Sequence, residues 1–223
     1  MKLFNYKFPE IFVKEKGRRK DIYTINSVPG KRVYEERLFK DGKTEYRQWD
    51  PKRSKLAAAL IKGISQIGLD KNSLVLYLGS ASGTTVSHIS DICSNGFIFA
   101  IEFAPRVMRD FIFMCEKRKN IAPFLESANH PEKYSDIPKV DIVYQDIAQR
   151  DQVGIFLKNT NKFLKKGGVG LLCIKARSID VTKNPKDIFK QVMKELNDKT
   201  TVVDYRVLDP YEKDHAFFVI KQK

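Results

Sequence analysis

Histidine, cysteine and tryptophan are scarce in this chain of 223 residues, at three, three and one. Cys93, Cys115 and Cys173 lie in apolar surroundings without metal-ligand spacing. That pattern speaks against a zinc site or a disulfide framework and predicts buried thiols in a reducing compartment. No apolar run approaches the roughly 20 residues a membrane-spanning helix needs. The N-terminus lacks the apolar core of a secretory leader, so no membrane engagement is expected. Negative charge is also in deficit: 27 Asp and Glu face 41 Lys and Arg, a net charge of +14. So basic a chain predicts a polyanionic partner, most readily nucleic acid. Repeats, low-complexity tracts and the signature of an RNA-recognition module are absent too.

What is present is enough for a core, since 42% of the residues are hydrophobic. The first 50 residues hold short β-prone pieces, Ile11–Val13, Asp21–Ile25 and Lys31–Tyr34, separated by turn signals at Lys16-Gly17, Pro29-Gly30 and Asp41-Gly42. They predict a small antiparallel β domain over 1–52. Over 53–223 strands and helices alternate. Leu56, Leu60, Ile64 and Ile67 recur at helical spacing up to Gly68. Apolar strands are expected at Ser73–Leu78, Gly96–Ile101, Val140–Tyr144 and Gly170–Ile174. Thr201–Leu208 and Ala216–Ile220 close the chain as two strands with a short connection, hence antiparallel. The class is α/β, a Rossmann-like parallel sheet with a terminal antiparallel hairpin, the layout of the S-adenosylmethionine-dependent methyltransferases.

The stretch LYLGSASGTTVSHI (76–89) runs from the strand holding Tyr77 through Gly79, Ala81 and Gly83 into a helix. A dinucleotide loop needs glycine at the middle position so that backbone can approach a pyrophosphate. S-adenosylmethionine has no phosphate, and Ala81 is then acceptable. Glu102 follows Gly83 by 19 residues at the next strand end, placed to accept bonds from both ribose hydroxyls. Phe103 offers adenine a flat apolar surface. Four more polar residues fall where strand ends or neighbouring turns face such a ligand: Lys55, Asp146, Lys175 and His215. Lys175 leaves a buried strand, its ammonium needs a partner, and Asp146 is the expected one.

The segments RQWDPKRSKLAAAL, VLYLGSASGTTVSHISDI, IEFAP, VYQDIAQ, IKARSID and KDHAFF occur in the order found in fibrillarins. The sequence resembles that family over essentially its whole length, in the archaeal form without a glycine/arginine-rich extension, for which a cytoplasmic location is expected. The resemblance implies guide-directed 2′-O-methylation of rRNA or tRNA ribose with S-adenosylmethionine. It further implies box C/D guide RNA, a Nop-type scaffold and a kink-turn-binding ribosomal-like protein as partners. It implies a catalytic set of Lys55, Asp146, Lys175 and His215, and cofactor contacts at Thr84, Thr85, Glu102, Phe103, Ser127, Ala128, Asp146 and Gln149. Relatives commonly carry Asp-Ala where this chain has Ser127-Ala128; the Ser127 hydroxyl or Asn129 is left to meet adenine. A non-catalytic particle subunit that binds the cofactor structurally is the alternative, and a small-molecule O-methyltransferase would leave the charge without a role. Lys52, Arg53, Lys175, Arg177 and Lys183 are candidate phosphate contacts. Phe4, Tyr6, Phe8 and Phe12 could serve docking, self-association or core packing.

Overall fold

The computed structural model describes residues 3–17 and 19–223. The N-terminal part forms β1 (Phe4–Asn5), β2 (Ile11–Lys16), β3 (Arg19–Ile25), β4 (Leu38–Asp41) and β5 (Thr44–Trp49). They make one antiparallel sheet in the order β1-β2-β3-β5-β4. The β-prone Lys31–Tyr34 is not a strand. There the Glu36 carboxylate accepts from the Val33 and Tyr34 amides at 2.8–3.1 Å, doing the work a strand partner would do. The hairpin instead forms around Asp41-Gly42, where Gly42 takes a left-handed conformation.

The rest alternates: α1 (Lys55–Ile61), β6 (Leu74–Leu78), α2 (Thr84–Ile92), β7 (Phe97–Glu102), α3 (Pro105–Cys115), β8 (Ile121–Leu125) and a 3-10 turn (Pro131–Tyr134). Then follow β9 (Val140–Gln145), α4 (Gln152–Phe163), β10 (Leu164–Lys175), α5 (Ala176–Ile179), α6 (Pro185–Lys199), β11 (Thr200–Val207) and β12 (His215–Gln222). The seven-stranded sheet runs β11-β12-β10-β9-β6-β7-β8, with β12 antiparallel to both β10 and β11. The terminal hairpin is as expected. Helix α1 stops at Ile61 rather than near Gly68, because Gly63 turns the chain at φ +78°. Ile64 and Ile67 are still buried, but from the loop. Gly167 and Gly168 lie inside β10, where the register with β9 shifts between Leu164 and Val169.

Side-chain alternation along the strands divides the core in two. Val75 and Tyr77, Ile142 and Tyr144, Leu171 and Cys173, and Phe217 and Val219 face α1, α2 and α3. Their neighbours Leu76, Val143, Leu172 and Phe218 face α4 and α6. The small sheet joins the first layer through Phe8, Ile11, Val13, Ile22 and Trp49. Tyr6 also turns inward, donating to the Leu60 carbonyl at 2.9 Å, while Phe4 stays exposed. A buried charge network seals the seam. Arg47 meets Glu36 at 2.7 Å and Asp91 of α2 at 3.1 Å, and Arg118 meets Asp91 at 2.7 Å. His88 of α2 stacks on Trp49 and holds Thr24 and Tyr34 through its two ring nitrogens. Burial, with Arg47 and Arg118 nearby, drives the His88 pKa well down, so its ring is neutral.

Candidate active site

The strand order reverses between β6 and β9, so their carboxyl ends open the crevice of the sheet. Strand parity decides what faces it. Tyr144 points at the α1 layer, and Asp146, two residues on, continues that face. Lys175 stands in the same relation to Cys173, and His215 to Phe217. Lys175 and His215 are directly opposite in the β10–β12 pair. Helix α1 covers this face, and its first residue is Lys55, just after the Ser54 cap. Backbone geometry thus brings four residues from four parts of the chain to one corner.

Within that corner the pairing differs from expectation. The Asp146 carboxylate accepts from Lys55 Nζ at 3.0 Å, and Lys175 is exposed. Lys55, half-buried, and not the exposed Lys175, is the ammonium that needs a counter-charge. Burial pulls the Lys55 pKa down, but attraction to Asp146, with a smaller contribution from Glu212, outweighs it and holds Lys55 above its ordinary value. Lys55 therefore stays charged. His215 is buried, and its Nδ1 lies 2.6 Å from the Lys213 carbonyl. A carbonyl only accepts, so Nδ1 carries the hydrogen and Nε2 keeps its lone pair. Burial lowers the His215 pKa, the Lys213 hydrogen bond opposes this, and Lys55 and Lys175 lower it further. The corner thus holds a neutral imidazole with a free basic nitrogen. Glu212, from the loop that carries His215, also feels Lys55, Asp146 and Lys175; burial raises its pKa.

Below these side chains lies a dry layer. Tyr77 and Tyr144 stack at 4.4 Å, and Tyr144 hydroxyl meets Cys173 Sγ at 3.1 Å. Thr85 donates to Ser54 at 2.9 Å. Burial drives the Tyr77, Tyr144 and Cys173 pKa values well up, so all three are neutral. Tyr77 and Thr85 bury their side chains in this layer.

The loop itself has the features of a nucleoside cradle. At Gly79 (φ +84°) a Cβ would overlap the Asp146 carbonyl and meet Ile147 at 2.8 Å, so only glycine fits. Ala81 adopts a left-handed conformation and its amide donates to Glu102 Oε2 at 3.0 Å, a bond that offsets the strain. Gly83 (φ +90°) caps α2, and a Cβ there would press on the Phe111 ring at 3.0 Å. The Ala104 amide reaches the other Glu102 oxygen at 2.9 Å. Each oxygen keeps a lone pair for a diol. Phe103 is 65% exposed beside it, an uncovered aromatic face. The Ser80 hydroxyl is buried without a partner among the described residues. Thr84 is half-buried at the helix start. Across the crevice the Ser127 hydroxyl accepts from the Asn129 amide at 3.3 Å, and Asn129 Nδ2 donates to Gln149 at 2.7 Å. Ser127, Asn129 and Gln149 thus form one patch, with Ala128 buried behind it. An orphaned hydroxyl, a diol-ready carboxylate and a bare phenyl ring fit S-adenosylmethionine.

Of the candidate phosphate contacts, Lys52 and Lys175 are exposed without ion-pair partners among the described residues, and Arg53 lies over the Tyr34 ring. Arg177 and Lys183 are paired with Asp214 and Asp180. Sequence reasoning missed Gln152, which is fully buried yet bonded to the Lys175 backbone. Nothing in its local sequence signals that role.

A switch-point crevice lined by a ribose-type carboxylate, beside a cluster of lysines, aspartate and a neutral histidine, defines an adenosyl-dependent methyltransferase architecture. A family model described as fibrillarin matches residues 4–223, and the chain belongs to the fibrillarin family. It is 49% identical to the fibrillarin-like rRNA/tRNA 2′-O-methyltransferase of Thermococcus onnurineus, covering all of both chains. It is similar to the Aeropyrum pernix fibrillarin solved with natively bound S-adenosyl-L-methionine: TM-score 0.90, 44% identity, covering 99% of this chain and 98% of that one. It is also similar to a chain of a fibrillarin/Nop5p complex: TM-score 0.84, 42% identity, covering 91% and 94%.

Proposed function

We propose that the protein is an S-adenosylmethionine-dependent RNA ribose 2′-O-methyltransferase and the catalytic subunit of a box C/D guide particle that modifies rRNA or tRNA. The observation that carries this reading is the convergence of Lys55, Asp146, Lys175 and His215 on one face beside the Glu102–Phe103 crevice. The Aeropyrum pernix structure, described as having S-adenosylmethionine bound, supports the cofactor, and the fibrillarin/Nop5p complex supports a Nop-type scaffold partner. The net charge of +14 supports an RNA substrate.

When bound, S-adenosylmethionine supplies an electrophilic methyl group. Glu102 holds the ribose diol of that cofactor, Phe103 covers its adenine, and the Ser127–Asn129–Gln149 patch meets the adenine edge. The substrate 2′-hydroxyl sits between Lys175 and His215. Lys175, whose side chain is exposed, orients the oxygen and stabilises the negative charge it develops. The hydroxyl proton passes to His215 Nε2, the basic nitrogen the corner keeps free. Lys55 and Asp146 fix the corner as a charge-balanced pair.

Reconstitution with a Nop-type scaffold, a kink-turn-binding protein and a guide RNA tests the reading, with the methylated position mapped on a matched target. Methylation at the guided nucleotide is expected. Cofactor binding without transfer in a single-turnover assay with tritiated cofactor would favour the non-catalytic alternative.

A further inference from the structure

Strand β9 pairs with β10 only as far as Gln145 opposite Leu172, because Asp146 turns away into the crevice. Beyond Leu172 that edge of β10 has lost its strand partner, and Lys175, which carries the exposed ammonium, lies there. Its peptide is nevertheless not left open. Gln152, the first residue of α4, accepts from the Lys175 amide through Oε1 at 2.9 Å and donates through Nε2 to the Lys175 carbonyl at 3.1 Å. One side-chain amide thereby supplies both halves of a ladder pair. Gln152 has no exposed surface, and its own carbonyl accepts from Gln145 Nε2 at 2.6 Å. Gln145 immediately precedes Asp146. The two glutamines therefore join the strand ends that present Asp146 and Lys175.

The consequence reaches the side chain. With both polar groups of the Lys175 peptide turned to Gln152, the Lys175–His215 pair is of the non-hydrogen-bonded kind, in which opposed side chains stand closest. Lys175 Nζ forms no bond among the described residues, so its aim depends on its backbone.

We propose that Gln152 is a positioning residue for methyl transfer, acting through the Lys175 peptide to hold the ammonium against His215 and the substrate oxygen. This rests on Lys175 serving the reaction, so wild-type protein and Lys175→Ala are run beside the Gln152 variants in the reconstituted particle. Single-turnover rates are measured at saturating cofactor, and cofactor affinity by calorimetry. Gln152→Ala loses both bonds, and about a tenfold drop in rate is expected from the net worth of two such bonds. Gln152→Glu keeps the acceptor for the Lys175 amide but loses the donor, and should recover part of the rate. Cofactor affinity should be unchanged in both, since Gln152 lies away from the Glu102 crevice. An unchanged rate in both variants, or a fall in cofactor affinity matching the fall in rate, overturns the proposal. If Gln152→Ala fails to fold, Gln152→Glu decides alone, with a reduced rate at unchanged affinity expected. Wild-type activity that survives in Lys175→Ala would instead refute the role given to Lys175.

Discussion

Asp146→Asn removes one charge of an ion pair and leaves the other in place. Lys55 and Asp146 lie 3.0 Å apart, with side chains only 19% and 23% exposed. Deleting one member of a fully buried pair costs about 3–5 kcal/mol, because the survivor keeps its desolvation penalty. Here about a fifth of each side chain still meets water, so we expect about 2 kcal/mol. For a chain of this length that is a fall in Tm of roughly 4–8 °C. The sign with pH follows from Lys55. Its folded pKa is raised, so the pair's stabilisation is fully present below the unfolded lysine value of about 10.4 and is lost only as pH rises through the folded value. The calorimetric deficit of the variant should therefore be flat from neutral pH to about pH 9 and shrink above about pH 10.4. Replacing both partners, as in Lys55→Met with Asp146→Leu, should restore most of the lost stability. An unchanged Tm in Asp146→Asn, or a deficit that disappears at neutral pH, would refute the reasoning.

Four further outcomes are expected. Glu102→Gln should weaken S-adenosylmethionine binding roughly ten- to a hundredfold by calorimetry, since it loses charge-assisted bonds to the diol and opposes an amide to a backbone donor. The single-turnover rate should fall in acid with an apparent pKa below the ordinary histidine value of about 6.5, and His215→Gln should remove that limb. Stability should decline over the same range, because unfolded His88 and His215 take up protons that their folded counterparts, with depressed pKa values, refuse. Gly79→Ala should abolish cofactor binding and lower stability in chemical denaturation by well over about 1 kcal/mol, combining left-handed strain with overlap on the Asp146 carbonyl.

The sheet was legible because its strands are apolar runs between glycine and proline signals, and the cofactor loop because Gly79, Gly83 and Glu102 keep a spacing that chemistry requires. Strand β8 escaped notice because Pro123 interrupts its pattern, which an edge strand tolerates. The four polar residues could be nominated from strand ends, but not their pairing. Lys55 and Asp146 are 91 residues apart, and which lysine meets the aspartate depends on how α1 lies over the sheet. Gln152 and the Tyr77–Tyr144–Cys173 layer were hidden for a related reason: a glutamine at a helix start or a tyrosine in a strand has no local mark of its tertiary partner. The segment VSHISDI alternates apolar and polar residues around a helix, yet its polar side is buried too, because the second sheet lies against it.

That second sheet has a consequence for any attempt to trim the protein. Cutting the chain before α1 would strip Arg47 from Asp91 and open the aromatic shelf on which His88 rests. The wet, half-neutralised surface thus created would lie along the helix that begins at the cofactor loop. A shortened enzyme would have to refill that wound with foreign apolar side chains before it could hold its methyl donor, so the amino-terminal strands are foundations of the catalytic half rather than a detachable handle.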